Sequence, residues 1–389
     1  MYFAPKELSN GLRCHCCKTA NTNGNIYISL TVKAGSLCDK IQGSAHFLEH
    51  ILLAFVKMYG YNKNNRLSIG GKTSFDRTSF YFGCTSETFK ETIELAKVIM
   101  EGLCLQEKHF LTVKQDVLME YDCCCEAMQR ESAFLTMVSK RLSSYMPIGT
   151  KKSIESLTFD DIKNFYNAEY SLKNMLLTVI GCNDDKVIEE VFNENSHIDF
   201  MKQNNTPCRV AEPSYKKETK NTEIFIPLSY PPLTHQSELQ DAVSLSIFTG
   251  ILNAFPSQDT ICLGLKEYSK DNRFISIQTS SGVMPRELLT FIKKNLSCYS
   301  NNVDLQCLQN EVRKKLIAQI SGPELLYRIE DFFTYDIEFY YVEEIIEQVM
   351  YITSDTITTI INYLLSTCPI LVENSNVVAV RKTDDWSVF

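Results

Sequence analysis

The sequence predicts an α+β protein made of two related domains. Strands of alternating, β-branched residues are interleaved with longer stretches of helical spacing. The same string of elements occurs twice, about 195 residues apart. A polar run without periodicity, residues 193–222, separates the two copies. An offset of that size is a domain duplication, since solenoid repeats run to roughly 20–50 residues. Strands mixed with helices inside each copy give the α+β class.

The elements follow in order. Leu8-Ser9-Asn10-Gly11-Leu12-Arg13 reads as a turn leading into a strand, and residues 26–33 (Ile-Tyr-Ile-Ser-Leu-Thr-Val-Lys) read as a strand. A loop containing Gly35 leads to a helix over 44–57. Residues 79–84 read as a strand, and apolar spacing gives helices over 89–103 and 107–137. Thr158 and Asp160 cap a helix over 161–170, and 175–181 is a buried strand. The second copy has strands at 223–228 and 273–279 and helices at 237–252, 286–296 and 303–319. Ser354-Asp355 caps a helix to 365, and 376–380 closes the copy. The duplication is plainest in Leu157-Thr158-Phe159-Asp160-Asp161-Ile162 against Ile352-Thr353-Ser354-Asp355-Thr356-Ile357, each followed by a strand. The expected domains are 1–192 and 223–389.

Composition narrows the function. The chain is 44% hydrophobic and 22% charged, which suits a globular protein that buries sizeable cores. Its net charge of −8 argues against a nucleic-acid partner. No run of about 20 apolar residues predicts a membrane span. The 15 cysteines are odd in number, and Cys123, Cys124 and Cys125 are adjacent. With no secretory signal in Met1 to Lys6, they read as reduced thiols of a cytoplasmic protein.

The chemistry concentrates in one run. Of six histidines, His46 and His50 lie four apart on a predicted helix and so share a face. Glu49 is beside them, in the order H-x-x-E-H of a helix-borne zinc hydrolase. Neutral imidazoles bind zinc well, and a catalytic site keeps three protein ligands and one position for water. Zinc lowers the pKa of that water to roughly 7, and a neighbouring carboxylate can move its proton. Glu49 fits that role as general base. A third ligand is needed, and the predicted helix over 112–128 offers Asp116, Glu120, Asp122 and Glu126, among which spacing does not choose.

Gly43-Ser44-Ala45-His46-Phe47-Leu48-Glu49-His50 resembles the active-site helix of the pitrilysin-like zinc peptidases, the group of insulin-degrading enzyme and the mitochondrial processing peptidase. The likeness continues in Val32-Lys33-Ala34-Gly35-Ser36, Ile69-Gly70-Gly71 and Pro147-Ile148-Gly149-Thr150, and covers residues 8–185. Lys114-Gln115-Asp116-Val117-Leu118-Met119-Glu120 matches the segment ending in the family's third ligand, so the resemblance selects Glu120, with Glu126 in reserve. Val113 stands where the family usually has a second acidic residue.

The resemblance implies more. Each domain would be an α/β sandwich, a mixed sheet packed by helices, and the pair would form one half-shell of a clamshell peptidase. The activity would be a zinc-dependent endopeptidase acting on short or unfolded peptides, including leader peptides of ribosomally made products. The peptide would add to an edge strand near 72–81, with Ser74 and Phe75 at substrate-binding positions. The second half carries His235-Gln236-Ser237-Glu238-Leu239 and cannot repeat the zinc site. It offers Tyr268 to the substrate, but Thr260 or Ile261 stands where an arginine is usual. The implied partners are a peptide and a second half-shell, as a heterodimer or homodimer. The alternative is a non-catalytic structural or peptide-binding subunit of the same fold.

Overall fold

The computed structural model of the chain describes residues 5–18, 24–63, 68–102, 105–182, 184–193, 222–228, 234–256, 261–279, 284–319, 323–373 and 376–379. All but the ends of the expected linker, and Thr260, lie outside the described residues.

The described strands form two sheets, one in each of two units. The first contains β1 (Lys6–Glu7), β2 (Arg13–Cys17), β3 (Ile26–Val32), β4 (Ser68–Thr73), β5 (Thr78–Cys84) and β6 (Met175–Ile180), in the order β1-β2-β6-β3-β5-β4. The pairing of β2 with β6 is parallel and the others are antiparallel, so the sheet is mixed. Its sequence runs through helices α1 (Ser44–Lys63), α2 (Phe89–Met100), α3 (Phe110–Val138), α4 (Lys140–Ser143), α5 (Lys151–Ser156), α6 (Phe159–Glu169) and α7 (Asp185–Asn193). The second sheet contains β7 (Thr222–Leu228), β8 (Ile261–Ser269), β9 (Asn272–Thr279), β10 (Ile370–Glu373) and β11 (Asn376–Ala379), in the order β11-β10-β7-β9-β8. Its sequence runs through α8 (His235–Asn253), α9 (Pro285–Asn302), α10 (Leu305–Ala318), α11 (Pro323–Thr334), α12 (Val342–Gln348) and α13 (Ser354–Ser366).

The duplication read from sequence is present in the topology. The order β2-β6-β3-β5-β4 repeats as β11-β10-β7-β9-β8, with a long helix between β3 and β4 and between β7 and β8. The outer pair differs: β11 follows β10 after two residues, and so short a connection requires an antiparallel pair. The repeated helix starts also share their chemistry. Thr158 caps α6 and Thr353 caps α13, each in a reciprocal capping box with the residue three on. The second cap is thus Thr353, not Ser354-Asp355.

The units are not two consecutive runs of sequence. Residues 125–143 group with the second unit and residues 321–339 with the first. In the first unit, Ile28, Leu30 and Val32 of β3 join residues of α1, α2, α6 and α7 in one core. The opposite sheet face presents Leu176 and Ile180, which pack on Leu325, Leu326, Ile329 and Phe333 of α11. In the second unit, Phe134 of α3 stacks on Phe225 of β7 with ring centres 3.9 Å apart. A boundary near residue 200 misses this, because a sheet with two apolar faces buries whichever segment reaches it.

One local prediction is corrected. The edge strand of the first sheet is β4, Ser68–Thr73, and not residues 72–81. Residues 74–77 are the turn into β5, closed by the Ser74 N–H donating to the Arg77 carbonyl at 2.8 Å.

Candidate active site

The position of α1 is fixed at its start. Asp39 accepts hydrogen bonds from the backbone N–H groups of Gly43 (2.7 Å) and Ala45 (2.9 Å), which would otherwise be unpaired at a helix N-terminus. Gly43 has φ +88, and a Cβ there would meet the Ile148 carbonyl at 2.9 Å, so only glycine fits. Phe47, Leu48, Ile51 and Leu52 are fully buried and seat α1 in the core. That leaves His46, Glu49 and His50 side by side along the adjoining strip of helix.

Helix α3 brings the third group. Val113 and Val117 are buried, and Lys114 Nζ donates to the carbonyls of Glu155 (2.6 Å) and Leu157 (2.9 Å), which pins this part of α3. Glu120, three residues beyond Val117, puts Oε2 3.0 Å from His50 Nε2 and 3.7 Å from His46 Nε2. The two Nε2 atoms are 3.2 Å apart. Among the described residues these three form the one group of His, Cys, Asp or Glu with the proximity a metal ion needs. Glu126 is not in it and is exposed. Val113 is core, as its side chain requires; Asp116 is near enough to His50 to feel its charge.

The electrostatics suit a cation. Burial, then the charge on His50, hold His46 down at about 3, so its imidazole is neutral. Burial also pulls His50 down, but its hydrogen bond to Glu120 and the charge of Glu49 outweigh that and raise it. Burial raises Glu120, but its bond to His50 together with the charges of His46, His50 and Lys57 outweighs this and lowers it. The three donor atoms stand 3.0, 3.2 and 3.7 Å apart. Ligands at zinc's usual bond lengths on a tetrahedron are separated by about 3.3 Å, so this donor set fits a zinc ion. His46 Nδ1 is buried and has no hydrogen-bond partner among the described residues.

Glu49 is 5% exposed, and burial raises its pKa against the opposing charge of His50 and the hydrogen bond from Thr73. Thr73 Oγ1 donates to Glu49 Oε2 at 2.7 Å. Sequence reading missed Thr73; only the approach of β4 to α1 reveals it.

The three substrate-binding positions read from sequence are placed differently by the fold. Ser74 and Phe75 lie in the β4–β5 turn, where their carbonyls accept from the N–H groups of Ser36 (3.0 Å) and Leu37 (2.8 Å). Phe75 is 5% exposed and fills core space. Tyr268, on β8, is 8% exposed, packed against Phe134 and Phe274 with the Glu131 carboxylate beside its hydroxyl. Phe75 and Tyr268 are packing residues, since burial removes the surface a substrate would touch, whereas Ser74 is half-buried in the turn.

Residues 17–144 match the insulinase family, peptidase family M16. A protease from Helicobacter pylori has the same fold over 96% of this chain and 100% of its own, with a TM-score of 0.66 and 17% identity. The chain has the M16 peptidase fold. The resemblance to the pitrilysin-like group and the α+β class are both borne out. Among curated M16 relatives, a zinc protease (PqqE) of Helicobacter pylori is 28% identical over 56% of this chain and 52% of its own length. The mitochondrial-processing peptidase subunit beta of Caenorhabditis elegans is 25% identical over 52% of this chain and 48% of its own. The chain thus spans about half the length of the curated relatives it matches.

Proposed function

We propose that the chain is a zinc-dependent endopeptidase that hydrolyses short or unfolded peptides. The observation that carries this is the convergence of His46, His50 and Glu120 with Glu49 beside them. His46 and His50 through Nε2 and Glu120 through Oε2 would hold zinc, which supplies Lewis acidity at neutral pH when bound. Glu49 takes the proton of the attacking water and returns it to the leaving amine. Its buried setting favours a carboxyl group that changes protonation state readily, as that exchange requires.

The strand β4 gives the peptide a place to lie. It ends the sheet and pairs with β5 alone among the described strands, so its outer N–H and C=O groups face away from the sheet. An extended peptide added there satisfies them and runs past Glu49, which touches β4 at Thr73. This favours main-chain recognition and hence unfolded substrates.

The test is metal content and turnover on the purified chain. The wild type binds one zinc per chain, and Glu120→Ala abolishes that stoichiometry. Glu49→Gln retains the zinc and loses hydrolysis by about 10²–10⁴-fold, the usual worth of a general base. Unimpaired cleavage by Glu49→Gln would assign the proton transfer to another group. A zinc-loaded wild type that cleaves no peptide under any condition would leave a peptide-binding subunit as the reading.

A further inference from the structure

We infer that Thr73 is a positioning residue for Glu49, so that the strand offered to the peptide also aims the base. The inference rests on the peptidase reading above and extends it to a residue outside the motif.

Gly71 and Thr73 are two apart on β4 and face the same side of the sheet, toward α1. Thr73 Oγ1 donates to Glu49 Oε2 at 2.7 Å, and a Cβ on Gly71 would stand 2.6 Å from Glu49 Oε1 and 2.7 Å from Leu53 Cδ1. One strand face therefore meets both carboxylate oxygens. The hydroxyl fixes one, and the missing side chain makes room for the other. A glutamate has three rotatable side-chain bonds, and a buried carboxylate with one oxygen tied to a fixed donor loses most of that freedom.

The donor is itself fixed. Thr73 pairs with Thr78 at the end of the hairpin, and the following turn is closed by Ser74 and Arg77. Arg77 is in turn ion-paired with Asp331 of α11. The same turn bonds through the Ser74 and Phe75 carbonyls to residues 36 and 37, just ahead of α1. The hydrogen bond thus joins two elements already held in register. Misplacing a reacting group by about 1 Å costs on the order of 10²-fold in rate, so the bond has a catalytic consequence out of proportion to its contribution to folding.

The experiment compares the zinc-loaded full chain as wild type, Thr73→Val, Thr73→Ser and Gly71→Ala, by crystal structure and by steady-state cleavage of a fluorogenic peptide. Thr73→Val keeps the shape and removes the hydroxyl. Its kcat is expected to fall about 10–100-fold with KM within about twofold, and with zinc content and thermal midpoint unchanged. Thr73→Ser recovers most of the rate. Gly71→Ala displaces the ends of two flexible side chains, so it folds and turns the Glu49 carboxylate away. In the crystal structures Glu49 holds one rotamer in wild type and Thr73→Ser and leaves it in Thr73→Val, with His46, His50 and Glu120 unmoved. An unchanged Glu49 rotamer in Thr73→Val, or a Thr73→Ser rate as low as that of Thr73→Val, would overturn the inference. A wild type without peptidase activity would sink the peptidase reading instead, and the Glu49 rotamers would still decide the role of Thr73.

Discussion

Asp39 shows how much a single buried carboxylate decides about this site. It starts α1 by accepting from Gly43 and Ala45, yet burial outweighs those bonds and lifts its pKa from 3.8 to about 7. A carboxyl raised on folding is favoured by the fold in its protonated form. Its contribution to stability is therefore full below about pH 4 and lost as the pH rises through about 7. Asn at this position keeps an acceptor and does not titrate. The thermal midpoint of the metal-free wild type should fall relative to that of Asp39→Asn between pH 4 and 7. A constant difference across that window would show that the carboxylate is not lifted. Among the ligand candidates, His46 and His50 were legible because four residues along a helix is a local relation. Spacing leaves Glu120 one carboxylate among several; the resemblance selects it, and the packing of Val113 and Val117 sets the rotation of α3 that delivers it.

At the scale of elements, α11 closes the sheet face opposite α1 and carries a carboxylate into it. Glu330 is fully buried, accepts from Tyr81 Oη at 2.9 Å and lies 3.9 Å from Arg77 Nε. Removing one member of a buried charged cluster leaves its partners without compensation, at a cost of about 3–5 kcal/mol. Glu330→Ala should lose about that much in denaturant unfolding. Glu330→Gln should lose less, since its amide oxygen can still accept from Tyr81. A change under about 0.5 kcal/mol for Glu330→Ala would mean the cluster contributes nothing to the docking of α11. This element was absent from the sequence reading, as was β8. The edge strand was misplaced for a related reason. Ser68–Thr73 contains Gly70 and Gly71 and lacks the β-branched alternation that marks a strand. Its strand conformation comes from pairing with β5, and its glycine at 71 answers to a side chain on another element.

For the whole molecule, the duplicated topology has one motif-bearing copy. The second copy has a helix α8 in the place of α1, beginning at His235 with Leu239 four residues on, and it lacks the second imidazole. The chain also spans about half the length of its curated relatives, one of which is named as a subunit. We propose a second half-shell as partner, because the second copy lacks the zinc motif and one relative is named as a subunit. The purified chain is expected to turn over peptide slowly alone and at least about tenfold faster with its partner, measured with a quenched peptide at fixed zinc. Full activity of the chain as a monomer would exclude that dependence.

The amino-acid sequence alone determined what is written in local order: the H-x-x-E-H helix, most of the element types, the α+β class and the duplication. These follow from periodicity and from side chains a few residues apart. Tertiary structure alone decided which strand is the edge and that Thr73 meets Glu49, and it brought to the imidazoles the Glu120 that spacing left open and only the family resemblance selects. It also decided that Phe75 and Tyr268 are packed away. Each of those depends on the angle and register between elements distant along the chain. Core packing sets these relations jointly, and no short stretch of sequence contains them.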